Sequence, residues 1–189
     1  MKNNKPHFVL VHGAWHGGWV WTEVAQSLIY QGYSVTCPTQ TGLGERKHLL
    51  SSNITLDTFI EDIVNHIIFN NLDNVILVGH SFAGSTISGV ADILKDRINR
   101  LIYFDAVILS DGQSPFDIAP PEVVKERIAL AEKSEGKLSV PAPTPEAFGV
   151  FDIRKSIMLN KQLTPHPIST FLSKLKLKNE IGNGLPLSY

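Results

Sequence analysis

The sequence predicts an α/β fold, a parallel sheet with helices on both faces, and three observations lead there. Four short β-type runs recur in the first half of the chain: Phe8–Val11, Ser34–Cys37, Val75–Val78 and Leu101–Phe104. All but Ser34–Cys37 are apolar without alternation, which is how strands covered on both faces read. Helical patterns separate these runs, and strict strand–helix alternation demands crossover connections, hence a parallel sheet.

Each element has its own signal. After Phe8–Val11, a helical pattern over Trp21–Gln31 meets Gly32, a plausible stop. The stretch Asp57–Asn70 places Phe59, Ile60, Ile63, Val64, Ile67 and Ile68 on one face, and Thr58 and Glu61 have capping-box spacing. The third helix, Phe82–Leu94, carries the small residues Gly84, Ser85, Ser88 and Gly89, which let a helix lie close on a sheet. From Leu109 onward prolines punctuate short helical pieces such as Glu122–Glu132, and no convincing strand is predicted before the end. Residues 1–109 therefore read as the core, 110–180 as a helical cap or lid, and 181–189 as the opening of a further core strand.

At 189 residues the chain is long enough for one well-buried domain. With 43% hydrophobic and 19% charged residues it is an ordinary soluble composition, and a net charge of -1 points to no charged partner. The one basic cluster, Lys174–Lys178, reads as a solvated face, so a nucleic-acid partner is not expected. The opening Met1–Pro6 is polar, and no apolar run reaches the roughly 18 residues of a membrane span. No membrane partner is expected, and a cytoplasmic location is the default. The single cysteine, Cys37, agrees with a reducing compartment and reads as a strand residue.

The chemistry concentrates in two stretches. In Gly79-His80-Ser81-Phe82-Ala83-Gly84 an apolar strand stops on a serine fenced by glycines. Such an elbow places the serine on a tight strand-to-helix turn, where its hydroxyl stands above the sheet at a helix N-terminus that favours developing negative charge. Ala83 stands where glycine is usual, a mild departure. The second stretch, His12-Gly13-Ala14-Trp15-His16-Gly17-Gly18-Trp19, follows the first strand directly. Acyl transfer needs two N–H donors aimed at the tetrahedral oxyanion, and a glycine-rich turn presents one of them. Ala14 and Phe82 are the expected oxyanion pair, Ser81 the expected nucleophile, and His12, Gly13, Trp15 and His16 the pocket around them. Trp15, Phe82 and Phe116 make that pocket apolar, which suits a compact hydrophobic ester group. His12 and His80 are expected to brace their turns by hydrogen bonds, and His7, His48 and His66 read as surface or helix-face residues. No metal site is expected, because His12 and His16 lie four apart in a glycine turn and not on a helix.

Phe8 to Gly17, Thr41-Gly42-Leu43-Gly44-Glu45-Arg46, the serine elbow and Leu163-Thr164-Pro165-His166-Pro167 together resemble the α/β-hydrolase superfamily. The similarity is greatest to small esterases related to plant methyl esterases and hydroxynitrile lyases. It implies Ser81 as nucleophile with Ala14 and Phe82 as oxyanion donors, acting on a small-molecule ester without a cofactor. The lyase relatives carry Thr where Gly13 stands, so ester hydrolysis is favoured over cyanohydrin cleavage.

A serine nucleophile needs a base, usually a histidine oriented by a carboxylate, and in this fold the order is Ser, acid, His. The single histidine after Ser81 is His166, in the Pro-flanked cap. Relatives place the base on a loop beyond the last strand and the acid after the strand before it. Roughly 50 residues of strands, helices and connections are therefore expected to be missing, and the fold is expected to be C-terminally incomplete. Asp105 at the end of Leu101–Phe104 is the alternative acid, or else a turn or cap-anchoring residue, and His166 the alternative base. Impaired activity, a bare sheet edge at Leu101–Phe104 and self-association through it are the expected consequences. The reading from another class is a truncated or non-catalytic ligand-binding domain.

Overall fold

The computed structural model describes residues 5–189, so the polar opening at 1–4 lies outside the described residues. Four strands form where the β-type runs predict them: β1 (His7–Val11), β2 (Ser34–Thr36), β3 (Val75–Ser81) and β4 (Ile98–Ala106). Three helices connect them, α1 (Thr22–Tyr30), α2 (Leu56–Phe69) and α3 (Ala83–Leu94). All strands run parallel, with β1 between β2 and β3, and β4 outside β3.

The two faces of the sheet are filled by alternate residues of the same strands, as the pleat requires. Val9, Val11, Val75, Leu77, Leu101 and Tyr103 point to one side, where α2 and α3 supply Phe59, Ile60, Ile63, Ile87 and Val90. Leu10 and Val78 point to the other, against Trp21, Ala25 and Leu28 around α1.

Small residues set how closely α3 approaches the sheet. A Cβ on Gly84 would run into the carbonyl of Val107 and lie 2.9 Å from the Cβ of Ala106, neither of which can swing aside. A Cβ on Gly89 would meet the side chain of Ile60, which can. Gly84→Ala is therefore expected to cost about 1–3 kcal/mol, by the usual penalty for overpacking, and Gly89→Ala clearly less. Urea denaturation midpoints of the two variants check the ranking.

The start of α2 differs from the sequence reading. Thr55, not Thr58, is the N-cap, and Thr58 sits at the third helical position, accepting from the Thr55 N–H at 3.1 Å. Thr58 thus fills the place usually taken by Glu or Gln in a capping box, and the helix begins at Leu56.

Beyond β4 the chain builds short helices α4 (Pro115–Ile118), α5 (Pro121–Glu132), α6 (Ile153–Gln162) and α7 (Ile168–Leu172). Three two-residue strands also appear, two that the sequence does not signal and a third that falls within 181–189, where a further core strand is expected to open. β5 (Ser139–Val140) and β6 (His166–Pro167) pair antiparallel, and β7 (Leu187–Ser188) lies parallel to β4 at Leu101 and Ile102. The expected bare edge at Leu101–Phe104 is thus covered over its first half by the last residues of the chain. Among the described residues no helix is long and apolar enough to cross a membrane.

Candidate active site

The chain goes outward from β1 to β2, then returns across β1 to β3 and on to β4. The connections after β1 and β3 leave in opposite directions, so a crevice opens at the carboxyl ends of these two strands. Into it fall both stretches singled out in the sequence, His12–Trp19 after β1 and the serine elbow after β3.

Ser81 has φ +53°, the left-handed conformation that costs a side-chain-bearing residue about 1–3 kcal/mol. The crowding at the elbow explains how this is held. A Cβ on Gly79 would lie 2.9 Å from the carbonyl oxygen of Ala83, so strand and helix backbones nearly touch, while Val107 N–H bonds to the Ser81 carbonyl at 2.9 Å. Two further side-chain-bearing residues adopt positive φ beside it, Trp15 at +65° and Asp105 at +42°. All three line one cavity of about 470 Å³ with Gly13, Ala14, His16 and His80. Strain is concentrated where three strand ends converge, and the sequence carries no signal for it at Trp15 or Asp105.

Ser81, Ala14 and Trp15 also face a second cavity of about 370 Å³, closed by Phe82, Val107, Pro115, Ile118, Arg127 and Phe171. Among the described residues no hydrogen bond consumes the N–H of Ala14 or of Phe82, nor holds the Ser81 hydroxyl. A larger cleft of about 630 Å³, between α1 and α6, shares Val20, Val150 and Leu159 with the first cavity but lacks Ser81. Phe116, expected as lining, instead stacks behind Phe171 at 5.2 Å.

The histidines sort themselves by their partners. His12, expected in the pocket, lines neither serine cavity; it is fully buried beneath the loop. Its Nε2 accepts from the Gln40 N–H at 3.0 Å, so its Nδ1–H donates to the Gly13 carbonyl at 2.8 Å, and burial pushes its pKa down to about 4. His16 does line the cavity, with Nδ1 on the Ala14 carbonyl at 2.7 Å, and burial lowers its pKa too. The ring of His80, expected to brace its turn, makes no hydrogen bond among the described residues and packs against Trp21 and Phe104. Its pKa is lowered by burial, partly offset by the charge of Asp105. His7 and His66, read as surface or helix-face residues, converge on the Thr36 hydroxyl at 3.0 and 2.8 Å, His66 from the face of α2.

His166, the alternative base, is directed elsewhere. Its Nδ1 accepts from the Trp15 N–H at 3.3 Å, and its Nε2–H donates to Thr170 Oγ1 at 2.8 Å, whose own hydroxyl donates to the Pro167 carbonyl at 2.8 Å. That chain fixes the tautomer and uses both ring nitrogens. His166 is boxed in by Phe59, Phe82, Phe171 and Trp15, and burial drives its pKa well below the ordinary value. Both ring nitrogens thus brace the cap, and neither is hydrogen-bonded to Ser81 among the described residues. Thr164, two residues earlier, completes the brace: its N–H bonds the Trp15 carbonyl at 3.0 Å and its hydroxyl receives the Gly44 N–H at 3.1 Å. The motif Leu163–Pro167 thus clamps both backbone groups of the strained Trp15, next to Ala14. Asp105, the alternative acid, lines the serine cavity but is exposed and hydrogen-bonded to no histidine among the described residues.

A parallel α/β sheet carrying a strained serine at its switch-point crevice is the architecture of the alpha/beta hydrolases. The chain belongs to the alpha/beta hydrolase family, which it matches over residues 8–169. It is 40% identical over 179 residues to the carbendazim hydrolyzing esterase of Nocardioides sp. (strain SG-4G), covering 90% of this chain and 73% of that protein. Methylesterase 7 of Arabidopsis thaliana is 32% identical over 127 residues, 66% of this chain but only 48% of its own length. Among solved structures, an extracellular alpha/beta-hydrolase from a Paenibacillus species, described as sharing structural and functional homology with tobacco salicylic acid binding protein 2, superposes with a TM-score of 0.86. It is 33% identical, and the alignment covers 97% of this chain and 76% of that one.

Proposed function

We propose that the chain is a serine-dependent hydrolase of small carboxylic esters. One observation carries the reading: Ser81, strained at φ +53°, faces two cavities beside Ala14 and Phe82, whose N–H groups have no acceptor among the described residues. Ser81 Oγ would attack the ester carbonyl carbon and give up its proton to a base. The oxyanion so formed would accept from the N–H groups of Ala14 and Phe82. Collapse would expel the alcohol, taking a proton with it, and water would then release the acid from the acyl-serine. Apolar walls from Trp15, Phe82, Val107 and Ile118 suit a compact hydrophobic group on the ester.

No residue is assigned here as the base, since no histidine is hydrogen-bonded to Ser81 among the described residues. We therefore expect turnover to be slow, near the about 10³–10⁴-fold acceleration over water that triad-less serine hydrolases keep from their oxyanion holes. Gly13 supports hydrolysis over cyanohydrin cleavage, because a Cβ there would lie 2.9 Å from the Cβ of Ser81 and a threonine would crowd the nucleophile. The single, half-buried Cys37 is in keeping with a reducing, cytoplasmic location.

The test is a fluorophosphonate probe together with p-nitrophenyl acetate. A covalent adduct mapped to Ser81 and measurable p-nitrophenol release are the expected results. Binding of small esters with neither adduct nor release would favour a non-catalytic ligand-binding domain instead.

A further inference from the structure

The second cavity at Ser81 is apolar except at one wall, where Arg127 of α5 reaches in. The guanidinium lies over two aromatic rings, 5.2 Å from the centroid of Trp15 and 4.7 Å from that of Phe171. A contact with ring faces takes up no N–H group in a hydrogen bond, and arginine has five donors and no acceptor.

Nothing among the described residues takes up those donors. Three arginines of the described residues are half-buried, Arg46, Arg97 and Arg127. Arg46 bonds the Thr39 carbonyl at 2.9 Å and Asp62 at 3.3 Å, and Arg97 bonds the Leu72 carbonyl at 3.2 Å and Asp73 at 3.3 Å. Arg127 has neither an ion pair nor a hydrogen bond among the described residues. Burial lowers its pKa, and its charge helps to keep neighbouring His166 neutral. A cation half removed from water with its donors unpaired is costly, and the cost is recovered when an acceptor enters.

We propose that Arg127 is a specificity residue of the Ser81 site, binding a carboxylate at the far end of the substrate's acyl group, so that the preferred substrates are half-esters of dicarboxylic acids. The ester carbonyl lies at Ser81 between the Ala14 and Phe82 amides, the methylene chain runs along Val107, Ile118 and Phe171, and the second carboxylate meets the guanidinium edge. The proposal rests on the reading of this pocket as an ester site, and it adds the charge of the substrate.

Binding is measured in Ser81→Ala protein, which removes turnover from the comparison. The probes are the monomethyl esters of succinate, glutarate and adipate, each against the uncharged methyl alkanoate of equal length, followed by calorimetry. One half-ester of the series is expected to bind at least about tenfold more tightly than its neutral counterpart, the range of a charge-assisted hydrogen bond. Arg127→Met, which keeps the apolar stem, is expected to erase that preference while leaving the neutral ester within about twofold. Arg127→Lys, which keeps the charge without the fork, is expected to retain part of it and serves if the methionine variant does not fold.

No preference in the parent protein overturns the proposal, and so does a preference that survives both substitutions. An equal loss for charged and neutral esters in Arg127→Met assigns Arg127 to packing over Trp15 and overturns it too. Failure of the serine reading shows separately, as absence of a fluorophosphonate adduct on Ser81 in the unsubstituted chain, and leaves the binding comparison intact.

Discussion

Ser81→Gly is expected to abolish covalent labelling by fluorophosphonate and at the same time to raise the melting temperature. The first effect is the loss of the hydroxyl and should be complete. The second follows from the backbone: at φ +53° glycine escapes the clash between Cβ and carbonyl that serine endures. Relief of about 1 kcal/mol corresponds to roughly 2–4 °C in a domain of this size. Ser81→Ala serves as the control, since it removes the hydroxyl but keeps the Cβ and hence the strain. It should be equally inert to the probe and no more stable than the parent. A lower melting temperature for the glycine variant, or undiminished labelling of either, would show that the elbow is not a strained nucleophile site.

This trade between stability and reactivity has a visible structural cause. The turn at Ser81 is kept under tension by neighbours that lack side chains or have nowhere to go: Gly13, Gly79 and Gly84 are each places where a Cβ would collide with the elbow or its supports. Relaxing any of them by moving the helix would also move the Phe82 N–H. On the proposed reading, reactivity at Ser81 depends on residues that touch no substrate, and the Gly84→Ala variant tests the stability side of the same arrangement.

How much of this the sequence discloses depends on the range of the interaction. β1, β3 and β4 are legible because each contains an unbroken apolar run, and the elbow because glycines must flank a turn that tight. β4 extends to Ile98 and Ala106, beyond the predicted Leu101–Phe104, because its added length includes exposed Asn99 and Arg100, which carry no apolar signal. The clamp on Trp15 is invisible in the sequence, as His166 meets it from 151 residues away. Nor does a tryptophan announce a positive φ, since local preference runs against it. Arg127 sits in a helix whose apolar pattern is weak, so nothing distinguishes it from a solvated arginine until Trp15 and Phe171 are seen beneath it.

The buried histidines make acid the condition under which the site should come apart. His12 is held neutral with a pKa of about 4, and the pKa of His166 is held well below its ordinary value by burial first and by the nearby charge of Arg127. In the unfolded chain both would titrate near 6.5. Above that pH folded and unfolded states bind the same protons at these two sites, and the stability due to their burial is fully present. As pH falls below 6.5 the unfolded state takes up protons that the fold refuses, so stability declines by up to about 1.4 kcal/mol per pH unit for each histidine. Down to pH 4 His12 alone should account for about 3 kcal/mol. Urea unfolding at pH 7.5, 6 and 5 is expected to show this decline, and His12→Gln to reduce its slope by about one proton. Protonating His12 takes away the acceptor for the Gln40 N–H, and protonating His166 Nδ1 takes away the acceptor for Trp15. Both losses strike the loop that presents Ala14, so fluorophosphonate labelling should fail at a higher pH than global unfolding. If the two fall together, or if stability is flat between pH 7.5 and 5, the histidines are not what fastens the oxyanion loop.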